Sequence, residues 1–86
     1  MEQSEVMNKN RLTKVFCNTF EDDTIVLRRD LRPRDVKNWD SFNHINLMIA
    51  VENEFDVILQ PKEVHEARSV GELVDLLKTK GCKIKI

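Results

Sequence analysis

A chain of 86 residues has room for one small domain. With 2 Gly and 2 Pro it is short of the turn formers that a many-stranded sandwich or barrel requires, and 41% hydrophobic against 34% charged residues suits a soluble globular fold. The net charge of -1 supplies no basic field for nucleic acid, and no apolar run approaches the roughly 20 residues of a membrane span.

The charges are unevenly spread. Residues 1–39 are close to balanced. Residues 40–66 hold Asp40, Glu52, Glu54, Asp56, Glu63 and Glu66 against Lys62 alone, a net -5. Residues 67–86 return to +3, with Glu72 and Asp75 against Arg68, Lys78, Lys80, Lys83 and Lys85. Cys17 and Cys82 have no metal-type spacing, and the first ten residues are too polar for a secretory core. Two such cysteines read as reduced thiols, and the expected location is cytoplasmic.

The spacing predicts a first helix near residues 4–19, with Ser4 as N-cap and Leu12, Val15, Phe16 and Phe20 as its apolar stripe. A connection over about 21–39 follows. Its Ile25, Val26, Leu27, Leu31, Val36 and Trp39 have no clean period, as expected of a loop pinned to the core with a short turn after Pro33. A strongly apolar second helix is expected at about 41–55, with Phe42, Ile45, Met48, Val51 or Glu52, and Phe55 stepping by three and four. Leu47 and Ile49 widen that stripe. Pro61 can open a short third helix reaching about Ala67. Ser69-Val70-Gly71-Glu72 reads as a capping box for a fourth helix, which Gly81 ends. The expected fold is an all-α bundle of three main helices and one short helix with a long first loop. Its domain spans 1–81, and 82–86 form an unpaired tail. Phe16, Trp39, Phe42, Ile45, Met48, Phe55, Leu73 and Leu76 are expected to share one core.

The chemically distinctive stretch is Trp39-Asp40-Ser41-Phe42, at the end of the long loop and the start of the second helix. Ser41 can cap that helix, or Asp40 can cap it with Ser41 as first helical residue. A phosphate on Ser41 would sit beside unpaired N–H groups and the positive helix end. His44 lies on the same helix face, but no third group is evident to orient it as a base for Ser41. No paired acids, Cys/His pair or phosphate loop suggests an enzyme.

From Leu27 to Thr79 the chain resembles the acyl carrier protein family. The residues that carry the likeness are Asp40-Ser41-Phe42, the apolar helix ending in Glu52-Asn53-Glu54-Phe55, the approach Leu31–Trp39 with Asp35-Val36, and Val70-Gly71-Glu72-Leu73-Val74. The resemblance implies a discrete, non-catalytic carrier. A phosphopantetheinyl transferase would attach 4'-phosphopantetheine from coenzyme A to Ser41, with Asp40 assisting the docking of that enzyme and its metal. The arm would hold an acyl intermediate as a thioester, presented by a monomer to the acyl-loading and acyl-transfer enzymes of a fatty-acid, polyketide or other specialised pathway. Ile49 matches the family's apolar docking position, although plain core packing accounts for it equally. Glu52, Glu54 and Asp56 are candidate docking acids, or merely a solvated face.

The sequence also departs from the family pattern. Phe42 replaces the usual Leu; Asn43, Asn46 and Asn53 stand where many fatty-acid carriers place acids; and Arg28, Arg29, Arg32 and Arg34 make the first loop basic. These features favour a specialised pathway. An aminoacyl or peptidyl carrier is the alternative on the same fold, although Asn38-Trp39 replace the two glycines usual there. An unmodified helical interaction domain, with Ser41 only a cap residue, is the other.

Overall fold

The computed structural model describes residues 2–86. Four helices account for its regular structure: α1 (Glu2–Phe20), α2 (Ser41–Phe55), α3 (Pro61–Glu66) and α4 (Val70–Thr79). A single 3-10 turn, Pro33–Asp35, interrupts the long first loop, where the fixed φ of Pro33 starts it. Among the described residues there is no strand, and no helix is long and apolar enough to cross a membrane.

The core forms around an aromatic cluster. Phe16 and Phe20, one turn apart on α1, lie with ring centroids 6.0 Å apart, and Trp39 packs 5.5 Å from each. The expected α1 stripe is thus buried, since Leu12, Val15, Phe16 and Phe20 are each at most 7% exposed. Ile25, Leu27, Leu31, Val36 and Trp39 also point inward, so most of the apolar residues of the first loop do pin it. Val26 is the exception, at 69% exposed. Hydrogen bonds from Val70 N–H to the Leu31 carbonyl (3.0 Å) and from Gly71 N–H to the Arg29 carbonyl (2.9 Å) fasten the loop to the start of α4.

Four expectations need correction. Ser4 lies inside α1, which begins at Glu2, so Ser4 is no N-cap. The face assigned to α2 is rotated: the helix buries Leu47, Met48 and Val51, while Phe42 is 76%, Ile45 51% and Ile49 50% exposed. α2 is apolar at so many positions that spacing alone does not single out a face, and packing against α1 makes the choice. Phe55 and Leu76, expected to share the core, pack against it but are only partly buried. The tail over 82–86, expected to be unpaired, is instead held to the bundle, because its apolar residues have core to bury against. Ile84 is 2% exposed within the core, Cys82 N–H donates to the Leu77 carbonyl (3.0 Å), and the Asn8 amide donates to the Lys83 carbonyl (2.8 Å).

The helix ends follow local chemistry. Ser69 Oγ accepts from Glu72 N–H (3.1 Å) and donates to the Glu72 carboxylate (2.9 Å), closing the expected cap through the two side chains. Asp56 ends α2 in the left-handed region (φ 53), and Gly81 follows α4 at φ 93.

Candidate functional site

Asp40 precedes α2 in extended backbone, and its carboxylate accepts from Asn43 N–H at 2.8 Å. Asp40 therefore caps the helix, and Ser41 is its first residue. Ser41 is exposed, and its hydroxyl has no hydrogen-bond partner among the described residues. Asn38 turns the chain into this junction at φ 73, a left-handed conformation that Asn tolerates better than most residues. The Asn43 amide donates to the Asn38 carbonyl (2.8 Å) and holds the turn.

Below Ser41 an apolar cleft of about 510 Å³ runs between α2 and α3. Ile45, Met48 and Ile49 line it from α2, and Leu59 and Val64 from the other side. His44 stands at the Ser41 end of the cleft. Its Nδ1 accepts from Trp39 Nε1–H at 3.0 Å, and its Nε2 lies 2.8 Å from the Val64 carbonyl. Since the indole can only donate and a carbonyl can only accept, the ring is the neutral Nε2–H tautomer. Both nitrogens are thus committed away from Ser41, and His44 acts as a brace between the end of the first loop and α3.

The candidate docking residues fall in different settings. Ile49 is half exposed on the cleft wall. The Glu52 carboxylate accepts from Leu59 N–H (2.9 Å) and so anchors the α2–α3 connection. Glu54 pairs with Arg11 Nε (2.7 Å), whose Nη2 also donates to the Glu54 carbonyl and whose guanidinium lies 4.7 Å from the Phe55 ring centroid. Asp56 is exposed and in no ion pair among the described residues. In the basic loop, Arg28 pairs with Asp30 (3.0 Å) and Arg29 with Asp75 (2.8 Å).

Sequence reasoning missed the cleft and two side chains on it, His65 and Arg68. They lie more than twenty residues from Ser41 in sequence, and α3 is too short for its period to show which face meets α2.

The fold matches that of a solved protein, the holo acyl carrier protein of Geobacter metallireducens determined by solution NMR, with a TM-score of 0.77 and 35% identity over 84% of this chain and 83% of that one. A shorter stretch of 38 residues is 45% identical to the mitochondrial acyl carrier protein of Saccharomyces cerevisiae, covering 44% of this chain and 30% of the yeast protein's length. No family model matches the sequence. A solved relative at this identity, matched over most of both chains on the same four-helix frame, identifies the present chain as a member of the acyl carrier protein family.

Proposed function

We propose that Ser41 is the attachment point of a 4'-phosphopantetheine arm and that the protein carries an acyl group on it, passing that group between partner enzymes. The observation that supports this most directly is the division of labour at the start of α2. Asp40 takes the capping role, which leaves the Ser41 hydroxyl exposed at the mouth of an apolar cleft.

The residues present suit such a group. The Ser41 Oγ faces solvent, where a modifying enzyme can reach it, and neither nitrogen of the nearby His44 is free to draw it into catalysis. A cleft of about 510 Å³ falls in the size range of small-molecule sites, and its apolar walls suit an alkyl chain. When bound, the arm supplies a thiol that holds acyl cargo as a thioester. The protein contributes an exposed anchor, an adjoining shelter and a rigid bundle for partners to grip. The partners under this reading are a phosphopantetheinyl transferase and acyl-loading and acyl-transfer enzymes, with Asp40 beside the modification site.

The test is modification in vitro. The protein is incubated with coenzyme A, magnesium and a broad-specificity phosphopantetheinyl transferase and then weighed. One added phosphopantetheine is expected, and Ser41→Ala should abolish it without changing the circular dichroism. An unmodified wild-type protein under conditions that load a control carrier overturns the proposal.

A further inference from the structure

A second, smaller hollow of about 160 Å³ meets the apolar cleft at Ser41, lined by Pro33, Trp39, Asp40, Ser41, His44 and Arg68. Only Ser41, His44 and Arg68 border both spaces. His44 has both ring nitrogens engaged. Arg68 does not have its donors filled: Nε donates to the His65 carbonyl at 3.3 Å, and neither terminal nitrogen has a hydrogen-bond or carboxylate partner among the described residues. Three contacts fix where this side chain starts. Ala67 before it is buried, Ser69 after it caps α4, and its own N–H donates to the Glu66 carbonyl at 3.0 Å.

Charge gives that position its meaning. Between Asn38 and Leu77 the only lysine or arginine residues are Lys62 and Arg68, and Lys62 approaches Glu66 at 4.0 Å. A phosphodiester on Ser41 would add negative charge next to Asp40, whose carboxylate cannot move away without uncapping α2. A planar guanidinium with two free terminal nitrogens matches the non-bridging oxygens of a phosphate.

Resting on the Ser41 reading, we propose that Arg68 is the positioning residue for the phosphodiester on Ser41, offsetting Asp40 and setting the direction in which the arm leaves the helix. Lysine is a weaker substitute, because it brings the charge without the paired donors.

The experiment is 31P NMR of the loaded protein, wild type against Arg68→Gln and Arg68→Lys, with Arg28→Gln, a first-loop arginine that lines neither space, as control. The reference is the same loaded protein unfolded in urea. In the wild type the phosphodiester resonance should be displaced from this reference. Arg68→Gln should lose most of the displacement, Arg68→Lys should lose part of it, and Arg28→Gln none. Backbone amide shifts of residues 67–69 should differ between the unloaded and loaded wild type. A loaded Arg68→Gln protein with the wild-type phosphorus shift overturns the role of Arg68 while leaving the attachment site intact. Failure to gain mass at Ser41 overturns the attachment site and the Arg68 role with it. Because Arg68 is exposed, both variants are expected to keep the fold, which circular dichroism checks.

Discussion

Trp39 Nε1 donates to His44 Nδ1 at 3.0 Å, with the two ring planes nearly parallel at 16°, so a buried indole from the first loop is fixed to the helix that begins at Ser41. Trp39 is 5% exposed and cannot readily exchange this bond for one to water. His44→Ala should therefore cost about 1–3 kcal/mol, the usual penalty for orphaning a buried donor, read from urea midpoints. It should also loosen α3, because the same ring reaches the Val64 carbonyl, and this would appear as faster amide exchange in residues 61–66. Unchanged stability would mean that the indole finds another acceptor.

Gly71 is held close to the first loop. A Cβ there would lie 3.0 Å from the Arg29 carbonyl oxygen and 3.3 Å from Arg29 Cβ, and both neighbours are tied down by the Gly71–Arg29 hydrogen bond. Gly71→Ala should lower stability by about 1–3 kcal/mol, typical of overpacking, by prising the loop off α4. Chemical denaturation decides it, and a loss under about 0.5 kcal/mol, within the range of neutral surface changes, would show that the loop gives way easily.

The rotated face of α2 yields a direct contrast. Phe16→Ala, at 0% exposed, should cost about 3–5 kcal/mol, whereas Phe42→Ala, at 76% exposed, should stay within about 0.5 kcal/mol of wild type. Equal losses would restore the helix phase that simple spacing suggests.

That contrast marks where the sequence was readable and where it was not. α1 shows its buried face because Leu12, Val15, Phe16 and Phe20 stand among polar neighbours, and the bounds expected for α2, about 41–55, agree with the helix Ser41–Phe55. Which side of α2 faces inward depends on contacts with α1 that local spacing does not encode. Ser41, the proposed attachment residue, is legible because its motif, Asp40-Ser41-Phe42, is contiguous. The cleft, the His44 brace and the position of Arg68 come from segments that meet only after folding. The partners of Glu52 and Glu54 are invisible for the same reason: Leu59 lies across a turn, and Arg11 lies on another helix.

Acid should weaken the fold in a predictable sense. The Gln60 backbone N–H (2.8 Å) and then Lys80 (3.0 Å) hold the Glu63 carboxyl below its ordinary value of 4.5. Arg29 does the same for Asp75. A carboxyl with a lowered folded-state value stabilises the fold above its unfolded value, and that stability is lost as pH falls through the folded one. Thermal midpoints should thus be level near neutrality and fall once pH drops below about 4.5. Glu63→Gln should start lower at neutral pH and fall less steeply. Parallel profiles for the two proteins would remove Glu63 as a contributor.

Docking of the enzyme that would modify Ser41 is expected to distinguish two kinds of contact on α2. Ile49 is half exposed on the cleft wall, and Ile45 and Phe42 extend the same exposed apolar surface toward Ser41. Burying Ile49 against a partner would remove apolar area from water, a contribution that salt hardly changes. Exposed acids act mainly through encounter rate and are screened over about 10 Å at 0.1 M salt. The hydrogen bonds of the acids divide them further. Glu52 and Glu54 already hold Leu59 and Arg11, so reversing their charge disturbs the fold as well as the surface, whereas Asp56 has no such partner among the described residues. Asp56 also sits in the left-handed conformation, which Asn adopts at least as well, so Asp56→Asn is the cleanest charge deletion. Titrating the rate of Ser41 modification against ionic strength should show Ile49→Ala slower at every salt concentration and Asp56→Asn slower only at low salt. If Asp56→Asn matches wild type throughout while Ile49→Ala does not, the acidic end of α2 is a solvated surface and apolar contact alone guides docking.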